Sequence, residues 1–304
     1  DKESSGCSVE ISYKHKPQKT KTQQNYVKHN IYNALYSSMI NDRLSELLEK
    51  EEPPFSEAES GYSNYFREVD TYSSYARCAP TGVLNAFHAL ITENERIRRY
   101  GFTNNELERA KKKLLSRYER WYNEREKTAS DLFADEYQVN YLSGKPIPGI
   151  EYEYQLVQNI LPTITTKKLN GLAELYMTKK NRTIIVTGPE SSSISYPKQK
   201  DFMTLLNNVG KEKIQLYNEG KVATELMSGI PKAGTILSER NIPETGLIEW
   251  KLSNGATVVL KKTDFKNDQV LFRATSNGGF SMYPADDDML ALYATRIQDG
   301  SGVN

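Results

Sequence analysis

The spacing of apolar residues along the chain changes several times, and each change marks a new predicted element. In CSVEISYK (residues 7–14) apolar and polar side chains alternate, which is typical of a half-buried β-strand. From about Thr22 to Lys50 the apolar residues recur at helical spacing, which predicts a long helix. The stretches GYSNYFREV and YSSYARCA, separated by Asp70-Thr71, predict two adjacent antiparallel strands.

Helices are then predicted to follow one another until a last strand. One runs from about Gly82 to Arg99, and a later one runs from Ala129 to Leu142, with Gly144 placed for a left-handed C-terminal cap. A shorter helix follows a predicted cap at Thr165, and the apolar run in NRTIIVTGPE predicts a short central strand. This order predicts an α+β domain of two layers, in which helices pack on one face of a mainly antiparallel sheet.

The segment GFTNNELERAKKKLLSRYERWYNEREKTAS predicts a further helix with a well-defined start. Thr103 and Glu106 have the spacing of a capping box, in which each side chain bonds the backbone N–H of the other residue. Phe102 and Leu107 occupy the positions of a hydrophobic staple. The start of this helix is therefore specified locally.

The same helix carries many charges, which raises the question of whether it binds phosphate. Its acids alternate with its bases, so that pairs such as Glu108 with Lys112 are predicted. A phosphate-binding helix would not neutralise itself in this way, so we interpret the charges as the solvated face of a packed helix. The opposite face is a predicted apolar stripe formed by Leu107, Ala110, Leu114, Tyr118 and Trp121.

The composition changes after residue 190. Residues 191–244 have weak apolar periodicity and several Gly and Pro interruptions, which predicts a linker with some structure of its own. In LIEWKLSNGATVVLKK the pair Asn254-Gly255 separates two alternating runs and predicts a β-hairpin. DQVLFRAT predicts a third strand, and a helix is predicted to start within residues 286–304.

The overall charge and the cysteine content narrow the class of protein. The chain has 304 residues and a net charge of +1, which gives no attraction to nucleic acid or anionic membrane. No apolar run reaches the roughly 18 residues that a membrane span needs. Cys7 and Cys78 exclude a disulfide-rich scaffold. They could pair if their strands are neighbours, or they could be two buried free thiols.

Motifs for common catalytic chemistries are missing from the sequence. It contains no G-x-S-x-G, no P-loop and no G-x-G-x-x-G. Several acids have no partner base in sequence and are interpreted as loop and cap residues, the last three at a helix start: Glu57, Glu59, Asp268 and Asp286 to Asp288.

Two stretches of the chain resemble a known family. GFTNNELERAKKKLLSRYE and LPTITTKKLNGLAELYMTKKNRTIIVTGP resemble the non-catalytic repeat domain of the insulinase/pitrilysin family of zinc metallopeptidases. LSNGATVVLKKTDFKNDQVLFRATSNGG resembles the hairpin with which each repeat of that family starts. Together the matches cover most of residues 7–189 and 247–304.

The resemblance implies a larger parent protein of four homologous metallohydrolase-like domains, paired into two halves that close around a peptide. Residues 1–190 would be the inactive second domain, residues 191–244 the linker between the halves, and residues 245–304 the truncated start of the third domain. The active domain comes first in this family and would precede Asp1. The parent would be a zinc-dependent metalloendopeptidase, and this part of it is predicted to be inactive.

The family's zinc site is an H-x-x-E-H motif on a helix, whose two His bind zinc and whose Glu activates the metal-bound water. His29 is followed by Tyr32 and Asn33 at the corresponding spacing, and His88 is followed by Ile91 and Thr92. His15, the third histidine, has no partner at this spacing.

Aligning Gly300-Ser301 with the Gly-Thr that follows the family's motif places Ala291, Ala294 and Thr295 at the motif positions. None of these three side chains binds zinc or acts as a general base. We therefore assign no catalytic, cofactor-binding or metal-binding residue within this chain, and expect zinc only in the catalytic domain of the parent.

The expected partners are the other domains of the parent and an extended peptide substrate, with no nucleic acid and no membrane span. Because the predicted strands of residues 247–275 lack the rest of their domain, self-association through this segment is also expected. The bacterial periplasm or cell envelope fits the family resemblance. A rival interpretation is a structural or binding subunit, since the same fold serves as the inactive partner in the mitochondrial processing peptidase and as core subunits of a respiratory cytochrome complex.

Overall fold

The chain divides into two compact units, Asp1–Asn218 and Glu219–Asn304. The predicted boundary at residue 190 differs from this division, because the first unit extends 28 residues further, to Asn218 (218 − 190). The computed structural model describes residues 6–18, 22–66, 68–190, 194–219, 229–230, 232–267, 269–279, 282–284, 289–290 and 292–294.

The first unit is built on a four-stranded antiparallel sheet in the order β2-β3-β1-β4. Alternation on β1 places Val9, Ile11 and Tyr13 on one buried face, as the sequence pattern predicts. The strands are β1 (Cys7–His15), β2 (Glu57–Phe66), β3 (Val69–Cys78) and β4 (Arg182–Thr187).

The described part of the first unit also contains seven α-helices. Most of the hydrophobic core of this unit is formed by the long helix α1, by α2 and by the buried faces of β1 and β3. The α+β architecture with a mainly antiparallel sheet is thereby confirmed. Among the described residues, no helix has both the length and the apolar character needed to cross a membrane. The helices are α1 (Gln23–Leu48), α2 (Val83–Tyr100), α3 (Asn104–Asn123), α4 (Ser130–Ser143), α5 (Ile150–Ile160), α6 (Thr166–Tyr176) and α7 (Gln199–Asn208).

Two strand predictions were wrong in detail. Asp70 and Thr71 lie inside β3 rather than in the turn before it, because β3 pairs with β1 along its whole length. The strand β4 lies at the edge of the sheet rather than at its centre, and its Ile185 is half exposed. An apolar run alone does not distinguish a central strand from an edge strand that is covered on one face.

The capping box at the start of α3 is confirmed. Thr103 Oγ1 accepts a hydrogen bond from the Glu106 N–H at 3.2 Å, and Glu106 Oε2 accepts one from the Thr103 N–H at 2.7 Å. The staple residues Phe102 and Leu107 are both buried. Gly144, after α4, has the predicted left-handed conformation with φ of 64°. Thr165 precedes α6 at the cap position, but its side chain makes no capping hydrogen bond.

The charged face of α3 is solvated, although its pairing differs from the prediction. Trp121, predicted to lie on the buried stripe, is 49% exposed because it falls in the last turn of the helix. Glu108 pairs with Lys111 at 2.9 Å instead of with Lys112. Lys113 reaches across to Asp42 of α1, also at 2.9 Å.

Part of the predicted linker belongs to the first unit. Phe202 of α7 is buried, and so are Val209 and Ile214 in the segment that follows. Arg99 of α2 donates hydrogen bonds to the carbonyl of Val209 at 2.9 Å and to that of Glu212 at 2.8 Å. These contacts explain why the compact unit continues past residue 190.

The second unit contains a three-stranded antiparallel sheet formed by β5 (Ile236–Ile242), β6 (Leu247–Leu252) and β7 (Thr257–Lys261). The turn between β6 and β7 contains Gly255 with φ of 85°, which confirms the predicted hairpin. The third strand comes from the predicted linker, and residues 269–275 of the predicted strand DQVLFRAT are not a strand. Of the three residues aligned with the zinc motif, Ala294 is helical. The following residues, which the sequence analysis also named, lie outside the described residues: Ala291, Thr295, Gly300-Ser301, Asp268 and Asp286 to Asp288.

Candidate functional site: the cleft beside α1

A concave surface of the first unit lies beside the N-terminal half of α1. It consists of two cavities of about 670 Å³ and 830 Å³ that share four lining residues, Gln18, His29, Asn33 and Tyr62. We call the combined surface the α1 cleft. It lies where β1 ends and β3 begins, and it includes side chains from α1, α4 and α6.

The local sequence places His29 and Asn33 one turn apart on α1. The helix starts after Thr22, whose Oγ1 accepts a hydrogen bond from the Asn25 N–H at 3.2 Å. His29 Nε2 lies 2.9 Å from Asn33 Nδ2, an amide nitrogen that can only donate. Burial lowers the pKa of His29, an effect that Asp70 opposes. His29 is therefore a neutral imidazole whose Nε2 accepts a hydrogen bond from Asn33 Nδ2.

Tyr62 occupies the centre of the cleft between two imidazole rings. Its ring centroid lies 5.8 Å from that of His15 and 5.7 Å from that of His29. The Tyr62 hydroxyl donates to Asp70 Oδ2 at 3.1 Å, and Asp70 also accepts from Asn64 Nδ2 at 2.9 Å. Burial raises the pKa of Tyr62, and Asp70 raises it further. Tyr62 is thus held as a neutral hydrogen-bond donor.

Tyr176 closes the wall of the cleft on the side of α6. Its hydroxyl donates to Asn33 Oδ1 at 2.5 Å, and its backbone carbonyl lies 3.0 Å from His15 Nε2. Its ring stacks on Tyr62 with centroids 4.8 Å apart. The cleft therefore offers aromatic faces and amide groups, and charged side chains such as Lys28, Glu68 and Asp70 also line it. This combination suits the binding of a polar chain.

The three histidines are not brought together. His88 lies on α2 and contacts Glu212, with Nε2 2.8 Å from Oε2. His15 and His29 share the α1 cleft, yet within the described ranges no group of three His, Cys, Asp or Glu side chains is placed to hold a metal ion. That the chain has no metal site therefore stays a prediction.

Cys7 and Cys78 face each other on neighbouring strands, in register across β1 and β3. Both are buried, and both carry free thiols. Burial raises the pKa of Cys7, and it raises the pKa of Cys78 to about 11. Since the thiolate is the reactive form, neither cysteine is set up as a nucleophile.

The unpaired acids of the sequence do not form a site in the described part of the chain. Glu57 and Glu59 lie on the exposed edge strand β2 rather than in a loop, which corrects their interpretation as loop residues. Glu57 lies 4.0 Å from Arg77 on the neighbouring strand, a surface ion pair.

Sequence reasoning missed a buried charge network beside the helices. Arg43 of α1 donates to both carboxylate oxygens of Glu106, at 2.6 Å and 2.9 Å, and to Glu93 at 3.2 Å. The guanidinium carbon lies 4.0 Å from the ring centroid of Tyr217. A charged residue at an apolar position of a helix is the signal that could have revealed it, since such a residue needs a buried partner.

Comparison with known proteins decides the family. No family model matches the chain. It is 30% identical to a PQQL-like zinc protease of Arabidopsis thaliana over 288 residues, which are 94% of this chain and 27% of that protein. The structure superposes on the periplasmic protease PqqL of Escherichia coli with a TM-score of 0.66 at 19% identity, covering 100% of this chain and 34% of that one. A predicted insulinase family protease from Yersinia pestis matches with a TM-score of 0.59 at 11% identity, covering 69% of this chain and 45% of that one.

The chain is a relative of the PqqL-like zinc proteases, and it has the fold of insulinase family proteases. It spans about a third or less of the length of the PqqL-like relatives that it matches. At the spacing of the H-x-x-E-H motif, the stretch from His29 to Asn33 has one imidazole and one amide in place of two histidines.

Proposed function

We propose that this chain is a non-catalytic part of an insulinase-like zinc metalloendopeptidase and that it forms a wall of the chamber in which peptides are degraded. One observation carries the proposal. The helix that lines the α1 cleft presents His29 hydrogen-bonded to Asn33, with Tyr32 at the position of the family's catalytic Glu. None of these groups generates a nucleophilic water, so the chain's contribution is to bind and to enclose.

The domain assignment is part of the same proposal. The inactive peptidase-family domain would comprise the first 190 residues, followed by the linker of residues 191–244 and by the start of the next homologous domain, residues 245–304. The contacts of Arg99 with the segment after α7 support a linker that begins as a strap packed on the inactive domain.

Zinc in another domain of the parent would polarise the scissile carbonyl and supply the nucleophilic water. The residues of this chain would act on the rest of the substrate. Tyr62 and His15 offer ring faces, and Gln18 and Asn64 offer amides that can bond the backbone of an extended peptide. By excluding bulk water, such a wall strengthens the electrostatic interactions at the catalytic domain.

We infer a bacterial periplasm or cell envelope as the compartment. The Escherichia coli protease that this structure resembles is periplasmic, and this supports the inference. The other domains of the parent would be the permanent partners of the chain, and an extended peptide would be its transient one.

The test compares the full-length parent with residues 1–304 alone. Metal analysis of the parent is expected to give about one zinc ion per chain, with peptide hydrolysis that a chelator abolishes. The 304-residue chain is expected to bind no stoichiometric zinc and to cleave no peptide. His29→Ala in the parent serves as a control, because it should leave the zinc content unchanged.

Two outcomes would contradict the proposal. Chelator-sensitive hydrolysis by residues 1–304 alone would place the catalytic site in this chain. A parent without zinc, without hydrolysis and without an H-x-x-E-H motif ahead of Asp1 would instead support the structural or binding subunit.

A further inference from the structure

Helix α4 is unlike every other helix described in the first unit. None of its 14 residues is buried. It exposes six large apolar side chains: Leu132 (60%), Phe133 (41%), Tyr137 (59%), Val139 (42%), Tyr141 (89%) and Leu142 (42%). Scattered apolar residues are normal on a protein surface, but six around one short helix of 14 residues are unusual, and those that share a face can mark an interaction site.

Three of these side chains are aligned. Phe133, Tyr137 and Tyr141 are spaced four residues apart, so they follow one stripe along α4, which we call the α4 stripe. Exposure increases along the stripe from 41% at Phe133 to 89% at Tyr141. Aromatic side chains in such a row are the residue types that are enriched at the centres of protein interfaces.

The helix also lacks the packing that usually stabilises a helix of this length. Isolated helices shorter than about 12–15 residues are marginal in water, and most helices of proteins depend on a buried apolar face. None of the residues of α4 is buried in the part of the chain that the structure describes, so this helix lacks such a face. Burial raises the pKa of Glu153 on α5, and Glu136 of α4 adds to this rise.

The charges on α4 indicate what kind of surface would pack against this helix. Helix α4 carries Asp131, Asp135 and Glu136 and contains no Lys or Arg. Asp135 and Glu136 form no ion pair with a basic side chain that the structure describes. A second copy of α4 would bring like charges together, which disfavours a symmetric dimer through this helix.

An extended peptide is also a poor occupant. A peptide that binds by adding a strand needs the free N–H and C=O groups of a sheet edge, and the backbone groups of a helix are already bonded to each other. A convex helix is better suited to pack against another folded surface.

We propose that the α4 stripe docks on another domain of the same polypeptide, through a surface that is apolar and carries Lys or Arg. This rests on the proposed function, in which the chain is one part of a longer protease. The PqqL-like relatives contain the required length, since this chain covers only 27% of the Arabidopsis protein and 34% of the Escherichia coli one.

Hydrogen exchange of the α4 amides tests the proposal in the full-length parent and in residues 1–304. Docking predicts that amides of residues 134–143 exchange slower in the parent by about tenfold or more, because local opening there requires undocking. In the parent, replacing Phe133, Tyr137 and Tyr141 by Ser should return the exchange of α4 to the rate found in residues 1–304. Leu216→Ser, which changes a 66% exposed residue outside the α1 cleft, is the matched control and should leave α4 protected.

Equal exchange of α4 in the two proteins would overturn the proposal. Peptide hydrolysis by the parent is measured in the same preparations, so the docking of α4 and the proposed endopeptidase function can be rejected independently. A parent that hydrolyses peptides with an unprotected α4 keeps the proposed function and rejects the docking. A protected α4 in a parent without hydrolysis keeps the docking and rejects the endopeptidase.

Discussion

Replacement of Arg43 by Met tests how the helices of the first unit are held together. The Arg43 side chain is 1% exposed, and Glu93 and Glu106 are each 2% exposed. The guanidinium makes four hydrogen bonds, two to Glu106, one to Glu93 and one to the Gly101 carbonyl at 3.0 Å. Arg43 thereby connects α1 to α2 and to the start of α3.

The expected loss of stability follows from the buried groups that lose their partner when Met replaces Arg43. The apolar chain of Met fills most of the space of the Arg stem, but both carboxylates lose a buried cation. Removing one partner of a buried ion pair costs about 3–5 kcal/mol. Glu93 keeps its ion pair with Arg96, so the main loss falls on Glu106, which keeps only the Thr103 N–H as a donor. We expect the free energy of unfolding to fall by this amount, a large share of the ~5–15 kcal/mol typical of a folded domain.

Urea unfolding followed by tryptophan fluorescence measures the effect. The chain has two tryptophans, and Trp250 lies in the second unit, so the experiment uses a Trp250→Phe background in which Trp121 alone reports on the first unit. Lys112→Ala, on the exposed face of α3, is the control and should change stability by no more than about 0.5 kcal/mol.

A double variant separates charge from packing. In Arg43→Met with Glu106→Gln, the carboxylate that accepts two hydrogen bonds from Arg43 is replaced by a neutral amide, so the loss should be smaller than the sum of the single losses by about 1 kcal/mol or more. A loss below about 1 kcal/mol for Arg43→Met would refute the reasoning, because the network would then contribute no more than a surface pair.

Further outcomes are expected from the same structure. Thr103→Ala should cost about 0.5–2 kcal/mol in urea melts and Leu114→Ala about 2–5 kcal/mol, and the reverse order would mean that the cap outweighs the core. Burial lowers the pKa of His29 in the folded chain, so as the pH falls the unfolded chain takes up a proton there more readily than the folded chain, and stability falls. A His29→Gln variant should show a shallower decline in urea midpoint between about pH 7.5 and pH 5, and an unchanged slope would contradict the burial of this ring. Alkylation of Cys78 at pH 8 should be slow until urea unfolds the chain, because its pKa is about 11, and fast labelling of the native chain would refute this. Light scattering should detect concentration-dependent association of the full chain through residues 247–275. Equal association of a version that ends at residue 218 would contradict this.

The predictions that held depend on neighbours in sequence. The capping box of Thr103 and Glu106 and the left-handed Gly144 follow from backbone groups within a few residues, so the sequence pattern was sufficient. The Asn254-Gly255 hairpin belongs to the same class, since the turn type sets the pairing of its two strands. The α+β order followed from the periods of the apolar residues.

Other features depended on distant partners, and the sequence pattern could not decide them. Whether β4 is central or an edge strand depends on which strands lie beside it, and Asp70 lies within a strand because β1 extends far enough to pair with it.

The candidate site shows the same division. The sequence determined by itself that His29 is followed by Tyr32 and Asn33, and this excludes the family's metal ligands at that position. Only the tertiary structure brought His15 and Tyr62 beside His29, and only it buried Arg43 between two carboxylates. The physical reason is that caps and turns are satisfied by the chain within one helical turn, whereas burial and charge pairing depend on surfaces that meet only after the chain has folded.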